Sequence, residues 1–148
     1  MRKGNRKCGS YLLWQYFQWQ AAENVAGDSD PLHWDHAVIL TGLDVHVLDR
    51  DMKVSSQVVG LAPVSGMCLP ASSCTVNEGR HFESVYVMAH EIGHNLGMSH
   101  DSTGNSCPKD GYVMSPSRGT RVSQDSGLKQ KPFILLSPNF ISISYRSE

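Results

Sequence analysis

The stretch HEIGHNLGMSHD at residues 90–101 restricts this chain more than any other part of it. Positions i and i+4 are neighbours on one face of an α-helix, so His90 and His94 can aim two imidazoles at one point when the segment is helical. Gly97 follows three residues later. A glycine takes positive φ without a Cβ clash, so the helix can stop there and the chain can turn back. That turn lets His100 return as a third ligand. Three protein ligands leave the fourth position of a tetrahedral zinc open, as in a catalytic site; a structural site is closed. Bound zinc lowers the pKa of water from 15.7 to roughly 7 and polarises a carbonyl. Glu91, next to the first histidine, is placed to act as general base and then to protonate a leaving amine. The reaction implied is hydrolysis of a peptide bond with no acyl-enzyme intermediate. The competing reading is an amphipathic helix with solvated histidines. Five fixed identities coinciding with a helix and a glycine stop weigh against it.

The 148 residues suffice for one domain with a real core, and the hydrophobic fraction of 40% is ordinary for a globular chain. Thirteen basic against fourteen acidic residues leave a net charge of −1. That balance gives no whole-chain attraction to nucleic acid or to an anionic membrane. The longest apolar runs are far too short to span a bilayer. A basic patch (Arg2, Lys3, Arg6, Lys7) precedes YLLWQYFQWQAA, which has the outline of a signal peptide, but glutamines interrupt its short apolar run. Of the four cysteines, Cys8, Cys68, Cys74 and Cys107, none forms a C-x-x-C pattern. Cys68 and Cys74 are close enough to close a small disulfide loop; the alternative is free thiols.

Hydrophobic spacing sets the expected elements. Residues 1–10 read as a basic, unstructured start. Leu12, Tyr16 and Trp19 within residues 11–24 suit an amphipathic helix. GDSDP at residues 27–31 breaks it. Residues 36–41 alternate and are rich in β-branched side chains, which predicts a strand, with Gly42 ending or bulging it. Residues 49–57 read as loop. VVGLAPV at 58–64 reads as a second strand, held to a sheet edge by Pro63. Residues 65–80 read as loop. From Ser84 to about Asn95 the pattern becomes helical, with Val85, Met88, Ala89, Ile92 and Leu96 as the apolar face. YVMSPS at 112–117 is a short apolar piece ended by Pro116. His33, His36, His46 and His81 match no ligand position and read as surface or strand-face residues. Trp14, Trp19 and Trp34 read as packing residues.

The zinc stretch resembles the extended motif of the metzincins, H-E-x-x-H-x-x-G-x-x-H with a Met-turn. Asp101 after the third histidine is similar to the adamalysin (reprolysin) branch. YVMSPS resembles that branch's Met-turn, with Met114 as the methionine beneath the metal; an ordinary core methionine is the plainer reading. HWDHAVILTGLD, VVGLAPVSGMC, SCTVNE and DSTGNSC look like segments of ADAMTS metalloproteinases, and FQWQ is similar to that group's helix end. The resemblance covers residues 11–119. It implies an α+β metzincin-like fold, a mixed twisted sheet beside an active-site helix. It also implies secretion, protein substrates of the extracellular matrix, disulfides and structural calcium, with Asp35 and Asp44 as calcium candidates. A solvated loop acid is the plainer reading of each aspartate, since calcium needs six to eight oxygens.

The chain also departs from the family. The strands and helix expected before residue 36 are missing, which leaves the strand at 36–41 without a usual partner and its edge open. Phe17 stands at the family's helix cysteine, so Cys74 lacks the partner the family would give it. The family segment after the Met-turn is absent. The expected organisation is a non-family start at 1–10, a partial catalytic domain at 11–119 and a poorly ordered non-family tail at 120–148, as in a fragment cut at both ends. The main functional reading is a zinc endopeptidase. The alternatives are a secreted metal-binding fragment or interaction module that does not cleave and, more weakly, a structural zinc module, which would require a closed fourth ligand.

Overall fold

The computed structural model describes residues 6–27, 29–48, 51, 53–55, 57–117 and 142–145. The chain is α+β, as the sequence predicts. In order it forms β1 (Arg6–Cys8), α1 (Gly9–Glu23), β2 (Ala37–Thr41), β3 (Asp44–Leu48), β4 (Val54–Ser55), β5 (Gly60–Leu61), β6 (Cys74–Glu78), α2 (Ser84–Asn95) and β7 (Ser142–Tyr145). A four-stranded sheet runs β5-β6-β2-β7, and a smaller one runs β1-β3-β4. Within the larger sheet β6 and β7 lie parallel to β2, and β5 lies antiparallel to β6. The sheet is therefore mixed.

Register decides which helix covers which face. Ala37 pairs with Cys74 and Ile39 with Val76, so these four share one face. Tyr16, Ala37, Cys74 and Val76 form the buried core, and Leu12, Leu13, Phe17, Trp34 and Ile39 pack against it. That places α1 on this face. Its Trp19 stacks between Tyr16, with centroids 5.3 Å apart, and Trp34, at 6.2 Å. Two of the three tryptophans pack as the sequence suggests, while Trp14 stays largely exposed.

The opposite face carries Thr75 and Asn77, both fully buried. Gly60 pairs with Asn77, and a Cβ on Gly60 would strike Val87 and Glu91 of α2. The second helix therefore covers this face, and the sheet lies between the two helices. The lining of α2 departs from the expected one. Val85, Ala89 and Leu96 are exposed, while Ser84, Val87, Glu91 and Asn95 are buried. The sheet surface under α2 is polar, and the helix turns its polar side to it.

Three other expectations are corrected. The start at 1–10 is not wholly irregular, because Arg6–Cys8 pairs in parallel with β3 and Gly9 opens α1. The predicted strand at 58–64 shortens to Gly60–Leu61, at the sheet edge that Pro63 suggested. The segment read as loop at 65–80 contains β6, an inner strand of the sheet. β7 pairs with the outer edge of β2, the edge for which the sequence offers no family strand.

His36, expected at a surface or strand face, is fully buried. Its Nδ1 lies 3.3 Å from Ser73 Oγ. Burial lowers its pKa from 6.5 to about 4, against a smaller opposing effect of a hydrogen bond with Asn95. The unfolded chain takes up this proton first as pH falls, so the stabilisation is complete above pH 6.5 and is lost progressively down to about pH 4. In chelated protein we expect urea-derived stability to fall by roughly 3 kcal/mol over that window through this one group. The His36→Gln variant should show a visibly shallower slope there; equal slopes in the two proteins would contradict the assignment.

Candidate metal centre

The centre is built on the last two turns of α2. His90 and His94 sit one turn apart, with ring centroids 4.6 Å apart. The helix then ends in a Schellman motif, with Met98 N–H donating to Gly93 O at 2.9 Å and Gly97 N–H to His94 O at 2.9 Å. Gly97 takes φ +96°, and a Cβ there would lie 2.9 Å from Ser65 Oγ. The reversed chain brings His100 back over the helix. Its Nε2 lies 3.2 Å from that of His90 and 3.0 Å from that of His94. Nitrogens bound about 2.05 Å from a tetrahedral ion stand about 3.3 Å apart. The three histidines thus converge as ligands of one ion would, and among the described residues they are the one such group.

Backbone carbonyls fix two of the rings. His90 Nδ1 donates to Val113 O at 2.6 Å, and His94 Nδ1 donates to Met98 O at 2.8 Å. A carbonyl only accepts, so each Nδ1 carries the hydrogen and each Nε2 keeps its lone pair for a metal. Asn105 Nδ2 donates to the carbonyl of His100 at 3.0 Å and steadies the returning strand. Desolvation lowers the pKa of His90 and of His100, and neighbouring histidines lower both further; Asp101 pulls the other way. Neutral imidazole is the form that binds metal.

Met114 lies beneath this assembly and is buried. Its Sδ would sit 2.5 Å from a Cβ on Gly93, so only a glycine in mid-helix lets the turn come this close. Asp101 N–H donates to Met114 O at 2.9 Å, and Ser115 N–H to Tyr112 O at 3.2 Å. The turn at 112–115 is thereby fastened to both ends of the histidine stretch, to His90 through Val113 and to the residue after His100 through Met114.

Glu91 is buried against β5. A Cβ on Gly60 would lie 2.7 Å from its Cγ and 2.7 Å from its Oε1. Desolvation raises the Glu91 pKa to about 7. Glu91 therefore shares a helix with two ligands while its carboxyl group tucks against an edge strand.

Other expected positions stay apart from this cluster. Asp35 lies 3.9 Å from His33, and its backbone carbonyl accepts a hydrogen bond from Ser73 Oγ. Asp44 opens β3, opposite Arg6 in register. Neither aspartate joins a group of ligating side chains among the described residues. Cys68 and Cys74 do not form the suggested disulfide: both are free, Cys74 buried in the core against α1 and Cys68 exposed in the loop. The distinct surroundings of the two thiols explain the lack of a bridge.

Sequence reasoning missed Gly60, Gly93, Asn95 and the carbonyls of Val113 and Met98. The two glycines carry a legible signal. A glycine inside a helix or strand lowers stability, and its presence often marks a close approach. The carbonyls carry none, because every residue has one.

Residues 12–130 match the reprolysin (M12B) family of zinc metalloproteases. Among curated proteins, the chain is 39% identical over 107 residues to a disintegrin and metalloproteinase with thrombospondin motifs 7 of Homo sapiens, covering 70% of this chain and 6% of that protein. It is 41% identical over 112 residues to the corresponding protein 16 of Mus musculus, covering 75% and 9%. It is 40% identical over 109 residues to the protein adt-1 of that name in Caenorhabditis elegans, covering 73% and 7%. The chain spans less than a tenth of the length of these relatives.

The Gly97 turn gives a direct test of how the centre is assembled. Gly97→Ala puts a Cβ on a backbone at φ +96° and against Ser65. We expect at least about 1–2 kcal/mol of lost stability in urea titrations. Zinc affinity, measured by chelator competition, should fall as well, because His100 depends on this turn. Unchanged zinc affinity would show that His100 contributes little to the centre.

Proposed function

The chain belongs to the reprolysin (M12B) family of zinc metalloproteases, and from that premise we propose that it is a zinc endopeptidase domain, with His90, His94 and His100 holding the metal and Glu91 serving as the base. One observation carries the reading: three Nε2 atoms converge at the end of a helix that also carries Glu91, two of them on rings held by carbonyls in the metal-binding tautomer. When bound, zinc supplies Lewis-acid polarisation of a carbonyl and lowers the pKa of water to about 7.

The chain's own residues do the rest. The histidines hold the ion as neutral donors. Met114 and the 112–115 turn keep the ligand set from spreading, through Gly93 and Val113. Glu91 Oε1, against Gly60, is the group that takes a proton from the attacking water and returns it to the leaving amine. The outer edge of β5 has no strand partner among the described residues. An extended peptide can pair with that edge by main-chain hydrogen bonds, which brings a scissile bond alongside Glu91. Matrix proteins as substrates and an extracellular setting are carried into this proposal by the ADAMTS resemblance. Among the described residues no helix is long and apolar enough to cross a membrane.

The test uses the purified 148-residue chain. Cleavage of a peptide library should stop with a chelator and return with zinc. Glu91→Gln should keep stoichiometric zinc while turnover drops by roughly 10²–10⁴-fold, the range of general acid–base catalysis. Full activity in that variant would rule out Glu91 as the base. Zinc bound by the wild type with no turnover on any peptide would instead favour a metal-binding module that does not cleave.

A further inference from the structure

The asparagine that follows the second histidine has a role that the ligand set does not explain. Asn95 is the last residue of α2 and is fully buried. Its Nδ2 donates to Pro63 O at 3.0 Å and to Ser72 O at 2.9 Å. Those carbonyls stand near the two ends of the segment that joins β5 to β6. One amide therefore draws both ends of a twelve-residue connection, residues 62–73, onto the end of the helix.

The backbone around it is engaged in the same way. Met67 N–H donates to Asn95 O at 3.0 Å, and Ser65 N–H donates to His94 O at 3.0 Å. A Cβ on Gly66 would lie 2.6 Å from Ser72 O and 2.7 Å from Asn95 Nδ2, so the connection approaches the amide at backbone distance. On the sheet side, the His36 ring interacts with the Asn95 side chain and with Ser73 Oγ, and Ser73 Oγ donates to Asp35 O. The end of α2 is thus held at once from the loop and from the residues that lead into β2. His94 immediately precedes this point, and the Gly97 turn that returns His100 immediately follows it.

We infer that Asn95 is a positioning residue for the metal centre: by clasping the 62–73 connection to the end of α2, it fixes His94 and the turn to His100 at their ligating distances. His94 lies one residue before the clasp, and His100 follows it by five residues across the Gly97 turn. A shift of the α2 terminus moves both relative to His90, which the 112–115 turn holds separately through Val113. The inference rests on the zinc reading above. It goes beyond that reading by giving a role to a residue that touches neither metal nor substrate.

Asn95→Asp keeps the shape and removes both donors, setting carboxylate oxygens against the carbonyls of Pro63 and Ser72. Gly66→Ala leaves Asn95 intact and pushes the connection away from it. Tyr16→Leu is the control, because it loosens the core on the far face of the sheet. Each full-length protein is titrated with zinc against a competing chelator, and its cobalt form is examined by visible absorption, which reports ligand geometry. We expect Asn95→Asp and Gly66→Ala each to weaken zinc about tenfold or more, the scale of outer-shell partners, and to alter the cobalt spectrum. The Tyr16→Leu protein should keep both, even with its stability lowered. Where Asn95→Asp does not fold, Gly66→Ala carries the test. Zinc affinity within about twofold of wild type and an unchanged spectrum in the folded variants would overturn the inference, as would equal changes in the Tyr16→Leu control. Failure of the wild-type chain itself to bind zinc would overturn the zinc reading, and this inference with it.

Discussion

Two backbone carbonyls determine what the histidine cluster can be. Val113 O and Met98 O accept from the Nδ1 atoms of His90 and His94, so the hydrogens of both rings are committed away from the cluster. Two lone pairs then face His100 Nε2, which lies within 3.2 Å of each and has at most one hydrogen to give while the ring is neutral. Hydrogen bonding among the three rings cannot satisfy all of these nitrogens. A divalent cation with a preference for imidazole can satisfy all three at once. Protonating the rings instead would set positive charges side by side; burial first, and that repulsion second, lower the pKa of His90 and of His100.

The rest of the structure serves to keep that geometry from relaxing. Three separate fasteners act on it. The 112–115 turn holds His90 and, through Met114 O, the residue after His100. The Schellman turn at Gly97 fixes the path between His94 and His100. The 62–73 connection, clasped by Asn95, holds the end of α2. Each uses backbone groups, which move less than side chains, and each is short. The polar underside of α2 follows from this arrangement. Asn95, Glu91, His36, Thr75 and Asn77 occupy the layer between α2 and the sheet, where leucines and valines would give more hydrophobic stabilisation. The two asparagine amides meet their donor needs there: Asn77 Nδ2 donates to Thr75 Oγ1 at 3.0 Å and Asn95 Nδ2 to the carbonyls of Pro63 and Ser72.

This polar layer explains what the sequence did and did not disclose. The helix at Ser84–Asn95 and the strand at Ala37–Thr41 were legible because their apolar residues recur at helical and alternating spacing. The clustering of the three histidines was legible because a four-residue spacing on a helix followed by a glycine turn is itself a geometric statement. The buried face of α2 was not legible. Hydrophobic spacing selects Val85, Ala89 and Leu96, whereas the face that meets the sheet carries Glu91 and Asn95. For the same reason β6 was hidden. Cys74 and Val76 point to the core, but Thr75 and Asn77 look solvated in sequence and are buried in fact. His36 was misplaced by the same rule, which assigns polar residues to the surface unless a partner is in view. The partners here, Ser73 and Asn95, are distant in sequence and adjacent only after folding.

The separation of the fasteners has a consequence for how the ligands can fail. Gly93 and Gly60 place backbone close to Met114 and to Glu91, so the placement of both side chains depends on missing Cβ atoms. A methyl group at either position acts on a different part of the chemistry. At Gly93 it meets the Met114 sulfur beneath the three histidines; at Gly60 it meets the Glu91 carboxyl group and Val87 of the same helix. The three imidazoles and the Glu91 carboxyl group are therefore supported by different contacts of α2. The former are held by the carbonyls and turns around α2, and the latter by the contact between α2 and a two-residue edge strand, Gly60–Leu61. That contact also borders the outer edge of β5, so under the proposed mechanism one two-residue strand positions both Glu91 and a peptide paired beside it.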